Sequence, residues 1–437
     1  MSTDISDPAT RSRDSVITHA SDTIRTLGPL NQGDVIDTAS TAPTRSNEPW
    51  ELLAGLWLLW LFIGAYAIVP ASVLPLVTTQ LNVGLAAASW IVTAPQVGAA
   101  IMGVPIGAVL DRVQNVRAIV LASLCLFITS FVGWVAGANG AYWPLVASRL
   151  LGGIALVTVW VAGTSVLSAA FSPRYRTTVV AVYTTGYPAG YALGQFAAPL
   201  ITVRLGWPAT FLVFGVLVAA VLPLCYVAGR QVVRPSSEQV STAHNVAAVA
   251  ANRNVWIVCV VSFTVYSLYM IFNSWMPTYL TRTFGLSLAE SGLFVALFPA
   301  VGIAARTSGG IVSDRLFGRR KRPIVVLSFG TTTLVVAVLF GISTPIAFVA
   351  GLVVAGFCLQ LQIGVLYTYV QGFVETKTVG TAVALVSVIG WVGAFVAPAM
   401  TGALVDLTGN YIIVLVYTVV FGLAGTLVGW LAPEPRS

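Results

Sequence analysis

Twelve long apolar blocks run along this chain, and no other feature limits its fold so strongly. Each block is close to the ~20 residues that an α-helix needs to cross about 30 Å of hydrocarbon. The blocks lie at 51–77, 88–110, 116–137, 142–171, 177–203, 208–229, 254–280, 288–312, 322–342, 346–373, 379–404 and 410–432. Because 57% of the 437 residues are hydrophobic and only 8% are charged, polar residues are too few to cover a soluble globule. The sequence predicts an all-α membrane protein with twelve transmembrane helices.

Residues 1–50 differ in composition from the rest of the chain. Ser, Thr, Asp, Arg and Pro dominate, and no apolar run is long enough for a core or a secretory signal, which predicts a disordered tail. The four cysteines lie inside predicted spans and form no CxxC pair: Cys125, Cys225, Cys259 and Cys358. We therefore expect neither a metal site nor a disulfide framework, and no cofactor.

Basic residues are unevenly divided between the two sets of loops. Thirteen arginines and lysines flank the loops that follow even-numbered spans, whereas the opposite loops carry Arg204 and Arg282. Because short loops rich in Lys and Arg stay in the cytoplasm, we expect a multi-pass cell-membrane protein with both termini cytoplasmic, including a short tail at 433–437. Topology thus explains the net charge of +7. Nucleic-acid binding is not expected, because no soluble domain would present these residues.

The predicted spans divide into two similar halves. Spans 1–6 (51–229) and 7–12 (254–432) each occupy 179 residues, and a polar, cytoplasmic linker at 230–253 joins them. The motif G-x-x-x-D-R begins at Gly107 after span 2 and again at Gly310 after span 8. Spans 5 and 11 both contain paired glycines before an Ala-Pro step. Two six-span units in the same orientation are typical of transporters whose bundles move about a central site.

These motifs resemble the major facilitator superfamily (MFS) along the chain from about residue 51 onward. In that family the loop between helices 2 and 3 reads G-x-x-x-D-R-x-G-R-R, and its Asp is assigned to a cytoplasmic gate at a neighbouring helix end. The resemblance implies gating roles for Asp111 and Arg112, and for Asp314 and Arg315 in the second copy. The first copy lacks the expected Gly-Arg-Arg, which predicts a weaker gate. The alternative is that both loops are turns with topology-setting charge.

Two arginines lie inside predicted spans, where a charged side chain costs roughly 2.5–3.5 kcal/mol at mid-helix. Arg149 opens a segment similar to the family's R-x-x-Q-G element, with Gly152 in place of Gln. Arg306 lies in span 8, eight residues before Asp314. Neither arginine is at a helix end, so each is expected to face a cavity or a buried partner, and a purely structural role is the alternative.

The membrane interior lacks groups that would balance these two charges. Acidic residues lie at helix ends, in loops or in tails, and both His19 and His244 fall outside the spans. Positive charge without a carboxylate or imidazole favours an anionic ligand. An enzyme is not expected, because clustered His, Asp, Glu or Cys residues are absent from the spans. The coupling mode stays open between symport, sodium coupling and uniport.

Polar and aromatic residues recur at helical spacing on several spans, which aligns them on one face of each helix. By resemblance, helices 1, 4, 7 and 10 surround a central cavity. The candidate substrate-binding residues combine this placement with the two buried charges: Arg149, Arg306, Trp160, Tyr266, Tyr269, Asn273, Gln360 and Tyr367. Span 5 receives less weight, because its glycine series, Gly186, Gly190 and Gly194, predicts close helix packing.

The sequence therefore predicts an MFS transporter that moves a small solute by alternating access, with a small anion or organic acid as preferred substrate. Family members with an Arg in helix 8 before G-x-x-S-D-R include nitrate, cyanate and organic-anion carriers. Nitrate is less favoured, because those carriers share a second arginine in helix 2 and residues 91–110 contain none. Export of hydrophobic drugs or metabolites is the alternative. The expected partners are a small-molecule substrate, a co-transported ion and membrane lipid.

Overall fold

The computed structural model of the chain describes residues 48–110, 113–230, 232 and 242–435. These residues form long helices and no strand. The long helices are α1 Trp50–Ser72, α2 Leu85–Leu110, α3 Asn115–Ala138, α4 Tyr142–Ala170, α5 Pro173–Leu205, α6 Ala209–Gly229, α7 Arg253–Phe284, α8 Leu288–Leu316, α9 Arg322–Leu339, α10 Pro345–Gln371, α11 Val379–Thr408 and α12 Ile412–Leu431. Shorter helices at Leu74–Leu81 and Thr242–Ala250 and a 3₁₀ turn at Thr376–Thr378 complete the described elements.

The long helices correspond one to one with the apolar blocks, so the predicted all-α, twelve-span fold is confirmed. In the described part of the chain, 11 of them are long and apolar enough to cross a membrane. The remaining helix, α5, has 33 residues but a lower hydropathy, because it carries four tyrosines and three arginines. Helix α5 begins at Pro173 rather than at residue 177, and α7 continues to Phe284 rather than ending at residue 280.

Within each half, the same pairs of helices meet at glycine residues. Helix α1 packs on α5 and α7 packs on α11, where a side chain at Gly190 or Gly393 would overlap a main-chain oxygen of the facing helix. The pairs α2–α4 and α8–α10 meet in the same way at Gly153 and Gly364. The close packing predicted from the glycines of span 5 is confirmed. Both halves use equivalent contacts, as the internal repeat predicts.

The two halves meet along two seams, the α2–α11 seam and the α5–α8 seam. Both seams are tightly packed at the end of the molecule where α2 and α8 begin, which we call the closed end. There Gly292 of α8 lies against the main-chain oxygen of Gln195 on α5. The carboxylate of Asp406 on α11 accepts hydrogen bonds from the main-chain N–H groups of Leu85 (3.0 Å) and Ala86 (2.9 Å), at the start of α2.

Candidate binding cavity

A cavity of about 490 Å³ lies between the two halves. Helices α1, α2, α4 and α5 line it from one half, and α7, α8, α10 and α11 line it from the other. It extends from mid-helix toward the end where α5 begins and where α8 and α10 finish. Arg176, Thr307 and Gln371 line that part of the cavity and are exposed. The cavity is therefore accessible from the end opposite the closed end.

One side of the cavity is aromatic. The ring of Trp60 on α1 stacks with Trp160 on α4 (centroids 5.4 Å apart, planes at 26°) and with Tyr187 on α5 (4.8 Å, 28°). All three residues line the cavity, and we call them the aromatic wall. Trp160 and Tyr187 keep part of their surface exposed, whereas Trp60 is buried. Trp160 was a predicted site residue, whereas Trp60 and Tyr187 were not in the predicted set.

On the other side of the cavity lies Arg306 of α8. Its guanidinium carbon is 5.2 Å from the ring centroid of Tyr269 on α7, a distance that allows a cation–π interaction. The Nε and Nη2 atoms are shielded from solvent and have no hydrogen-bond partner among the described residues. Leaving a charged donor unpaired costs more than about 1–3 kcal/mol. The described residues that line the cavity include no carboxylate that could pair with it.

Tyrosine hydroxyl groups lie beside Arg306 in the same half. The hydroxyl oxygens of Tyr266 on α7 and Tyr367 on α10 are 3.2 Å apart, within hydrogen-bond distance, and Ser387 on α11 donates to Tyr367 over 3.4 Å. Tyr266 and Tyr367 both line the cavity. The structure thus brings five of the predicted residues to one cavity, namely Arg306, Trp160, Tyr266, Tyr269 and Tyr367.

A second tyrosine contact joins the two halves of the molecule. The ring of Tyr191 on α5 stacks on Tyr269, with centroids 5.7 Å apart. The Tyr191 hydroxyl accepts a hydrogen bond from Nε2 of Gln96 on α2 (3.1 Å) and lies 3.1 Å from the Tyr187 hydroxyl. Tyr191, Gln96 and Tyr187 all line the cavity. These contacts connect the aromatic wall with the tyrosine that lies under Arg306.

Arg149 does not line the cavity. Its side chain is fully buried between α4, α1 and α2. Each of its three nitrogen atoms donates to a main-chain oxygen, to Tyr66 (2.7 Å), Ala67 (2.5 Å) and Ile91 (3.0 Å). The guanidinium carbon also lies 4.4 Å from the Tyr66 ring centroid. The two arginines that look alike in sequence therefore have different surroundings, because each nitrogen atom of the Arg149 side chain has an acceptor within the protein.

Two other predicted residues are also buried outside the cavity lining. The Gln360 side chain on α10 donates from Nε2 to the main-chain oxygen of Phe298 on α8 over 2.8 Å, which joins two helices of one half. Asn273 donates from Nδ2 to the main-chain oxygen of Tyr269 on its own helix over 2.7 Å. Their predicted contacts with substrate stay predictions, and their contacts in this structure are with the protein itself.

We expect Arg149→Lys to lower the melting temperature of the protein in detergent without changing substrate affinity. A lysine has one nitrogen and cannot reach three separate main-chain oxygens, so hydrogen bonds worth about 1.5–3 kcal/mol each are lost. The measurement is thermal unfolding of the purified variant, followed by substrate binding at a lower temperature. The exposed Arg204 provides the control Arg204→Lys. If Arg149→Lys left the melting temperature unchanged and weakened substrate binding, Arg149 would have to contact the substrate.

The four predicted gating residues fall partly outside the described residues, because Asp111 and Arg112 lie there. Asp314 is described, and its carboxylate is 3.8 Å from Nζ of Lys321, just before the start of α9. The same Nζ donates to Ser313 over 2.8 Å. Arg315 is exposed at the end of α8. These contacts stay within one half, and the gating roles stay predictions.

Sequence reasoning missed several residues of the cavity, including Arg176, Gln96, Thr184 and Trp391. Arg176 is one of the thirteen basic residues that flank the loops after even-numbered spans. Because α5 begins at Pro173, Arg176 belongs to its first turn. It precedes Tyr187 by 11 residues, which is close to three helical turns, and therefore lies on the same helix face. A predicted start of α5 at residue 173 instead of 177 would have placed Arg176 and Tyr187 on the same helix face from the sequence.

Two six-helix halves around a cavity that is closed at one end and accessible at the other define a membrane transporter. The family model of the Major Facilitator Superfamily matches residues 56–371 and 308–437. The chain therefore belongs to the Major Facilitator Superfamily, whose members are transporters and not enzymes. It is a multi-pass membrane protein that transports a small molecule.

Comparison with individual proteins agrees with this family. The chain is 25% identical to the nitrite extrusion protein of Bacillus subtilis (strain 168), in a match that covers 84% of this chain and 88% of the relative. It is 24% identical to the gallate transporter of Pseudomonas putida, over 86% of this chain and 89% of the relative. A solved structure of a bacterial homologue of the human lysosomal transporter Spinster, inward-facing and unoccupied, matches with a TM-score of 0.76 at 17% identity. That match covers 89% of this chain and 98% of the other, and it shows the shared fold.

Proposed function

We propose that this protein carries a small organic anion across the membrane by alternating access. The observation that supports this proposal is Arg306, a cation with two unpaired donors in a cavity whose described lining residues include no carboxylate. Buried charges in membrane proteins are normally paired, and an anionic substrate would supply the missing partner. Nitrite and gallate, named for two relatives, are both anions, which favours the same charge class.

Each residue near Arg306 has a role in this proposal. The guanidinium fork binds the anion through two parallel hydrogen bonds, a geometry that suits a carboxylate. Tyr269 holds the guanidinium in place through its ring. The hydroxyls of Tyr266 and Tyr367 supply further donors beside the anion. Arg176 lies at the accessible end, where its positive charge raises the local concentration of anions.

The direction of access follows from the predicted orientation. If both termini are cytoplasmic, the accessible end of the cavity faces the cytoplasm and the closed end faces outward. Transport then requires both seams to open at the closed end and to close at the cytoplasmic end. Asp111 and Asp314 would hold the cytoplasmic end shut in that second state. Symport with an ion remains part of the proposal.

The test is uptake by proteoliposomes of a labelled carboxylate such as benzoate. We expect saturable uptake that other organic anions inhibit and that benzamide, an uncharged molecule of similar shape, leaves unchanged. This result follows from the charge of Arg306, because an amide offers no negative charge for a cation to bind. Transport of uncharged apolar dyes, without inhibition by any anion, would contradict the proposal and favour export of hydrophobic compounds.

A further inference from the structure

The two sides of the cavity have different chemistry, and this difference specifies more than the charge of the substrate. The first half contributes the aromatic wall of Trp60, Trp160 and Tyr187. The second half contributes Arg306 with the hydroxyls of its neighbouring tyrosines. A substrate that satisfies both sides has an anionic group at one end and an apolar body at the other.

The size of the cavity supports an organic substrate over an inorganic ion. About 490 Å³ lies within the range of roughly 300–1,000 Å³ that is typical of pockets for organic ligands. A small oxyanion bound at Arg306 would leave the opposite side of the cavity filled with water. The aromatic wall, whose three residues line the cavity, would then contribute nothing to binding.

The arrangement of the aromatic wall favours a flat body over a bulky one. Trp160 and Tyr187 both stack on Trp60, with interplanar angles of 26° and 28°, so each ring is close to parallel with Trp60. Aromatic rings gain energy from offset stacking on other flat π systems beyond the area that they bury. A saturated ring of equal size is puckered and gains only from the area buried.

We infer that the substrate is a planar conjugated carboxylate, with its carboxylate at Arg306 and its flat body against the aromatic wall. This inference rests on the proposed function. Because the wall belongs to the first half and Arg306 to the second, such a substrate contacts both halves at the same time. It thereby links the occupancy of the cavity to the separation of the two halves, which an oxyanion held at Arg306 alone does not do.

The experiment compares two acids of equal charge and similar size, benzoate and cyclohexanecarboxylate, as ligands of the purified protein. We expect benzoate to bind about tenfold more tightly, because only benzoate stacks on the wall. Trp160→Leu should remove most of this preference, while Trp160→Phe should keep it and acetate binding should be the same in both variants. Trp143, which is 76% exposed and outside the cavity, supplies the control Trp143→Leu.

The outcomes separate this inference from the proposed function. Equal affinity for the two acids, with binding that still depends on Arg306, would overturn planarity and leave anion transport standing. If the wild-type protein bound none of the carboxylates, both the planar substrate and the proposed anion transport would be overturned. If Trp160→Leu fails to fold, the comparison of the two acids in wild type and in Trp160→Phe decides the question.

Discussion

Arg306→Gln is expected to weaken binding of a carboxylate substrate by about 10- to 100-fold and to reduce uptake accordingly. Glutamine removes the positive charge and the two donors, Nε and Nη2, that have no partner among the described residues. Hydrogen bonds to charged groups are worth about 1.5–3 kcal/mol each, so the expected range corresponds to the loss of one of them, since the glutamine amide can still donate. Arg306→Lys should have an intermediate effect, because it keeps the charge but loses the planar fork and its contact with Tyr269.

Binding of benzoate to the purified variants by calorimetry, followed by uptake at equal incorporation, measures this effect. Arg204→Gln is the matched control, because Arg204 is exposed at the end of α5 and does not line the cavity. Melting temperatures of all variants establish that folding is intact. Wild-type affinity in a well-folded Arg306→Gln protein would show that the anion binds elsewhere.

Asp406→Ala is expected to open the closed end. The Asp406 carboxylate accepts two hydrogen bonds from the first N–H groups of α2, across the α2–α11 seam. A negative charge at a helix N-terminus is stabilised by the helix dipole as well as by these bonds. Loss of two charge-assisted bonds between the halves should shift the conformational equilibrium by at least about tenfold toward the state that is open at this end.

A cysteine in the α2–α11 seam reports this shift. Ser89 is 2% exposed and faces Gly402, so we expect Ser89→Cys to react slowly with maleimide in detergent and at least about tenfold faster when Asp406→Ala is added. The native cysteines must first be replaced: Cys125, Cys225, Cys259 and Cys358. Glu290→Ala is the matched control, because the hydrogen bonds of the Glu290 carboxylate in the described structure go to Ser287, at the start of the same helix. Equal labelling with and without Asp406 would show that this contact does not hold the end closed.

The fold was predictable because its two sequence signals, the hydropathy of long segments and the internal repeat, extend over whole helices. Long apolar blocks located each long helix of the described residues, and the repeated motifs divided these helices into two halves. Helix boundaries were less predictable, as α5 shows. Its first turn carries Arg174 and Arg176, which hydropathy excludes from a span, yet Pro173 at its start is a common first helical residue. Pro173 indicates where α5 begins, but the two arginines lower the hydropathy of the first turn, so the predicted span began later.

The site was only partly predictable. The free-energy cost of a charge inside the membrane indicates that a buried arginine needs a partner, but it does not indicate which group that partner is. Arg149 and Arg306 both lie far from helix ends, and the same argument places each in a cavity or against a partner. Packing between helices decides between these possibilities. Main-chain oxygens of α1 and α2 satisfy Arg149, whereas no described residue satisfies Nε and Nη2 of Arg306. Main-chain oxygens are present at every residue, so the sequence does not show which of them accept hydrogen bonds from an arginine. The structure was needed to distinguish Arg149 from Arg306.

Glycine contacts inside each half have a mechanical consequence. Where main chains touch, as at Gly190, Gly153, Gly364 and Gly393, helices have little space in which to slide or bend. Inside each half such contacts recur on both helix pairs, whereas across the α5–α8 seam the main-chain contact at Gly292 lies at the closed end, so we expect each half to move as a stiff unit. The aromatic wall and Arg306 belong to different halves, so we expect the distance between them to change when the seams open or close.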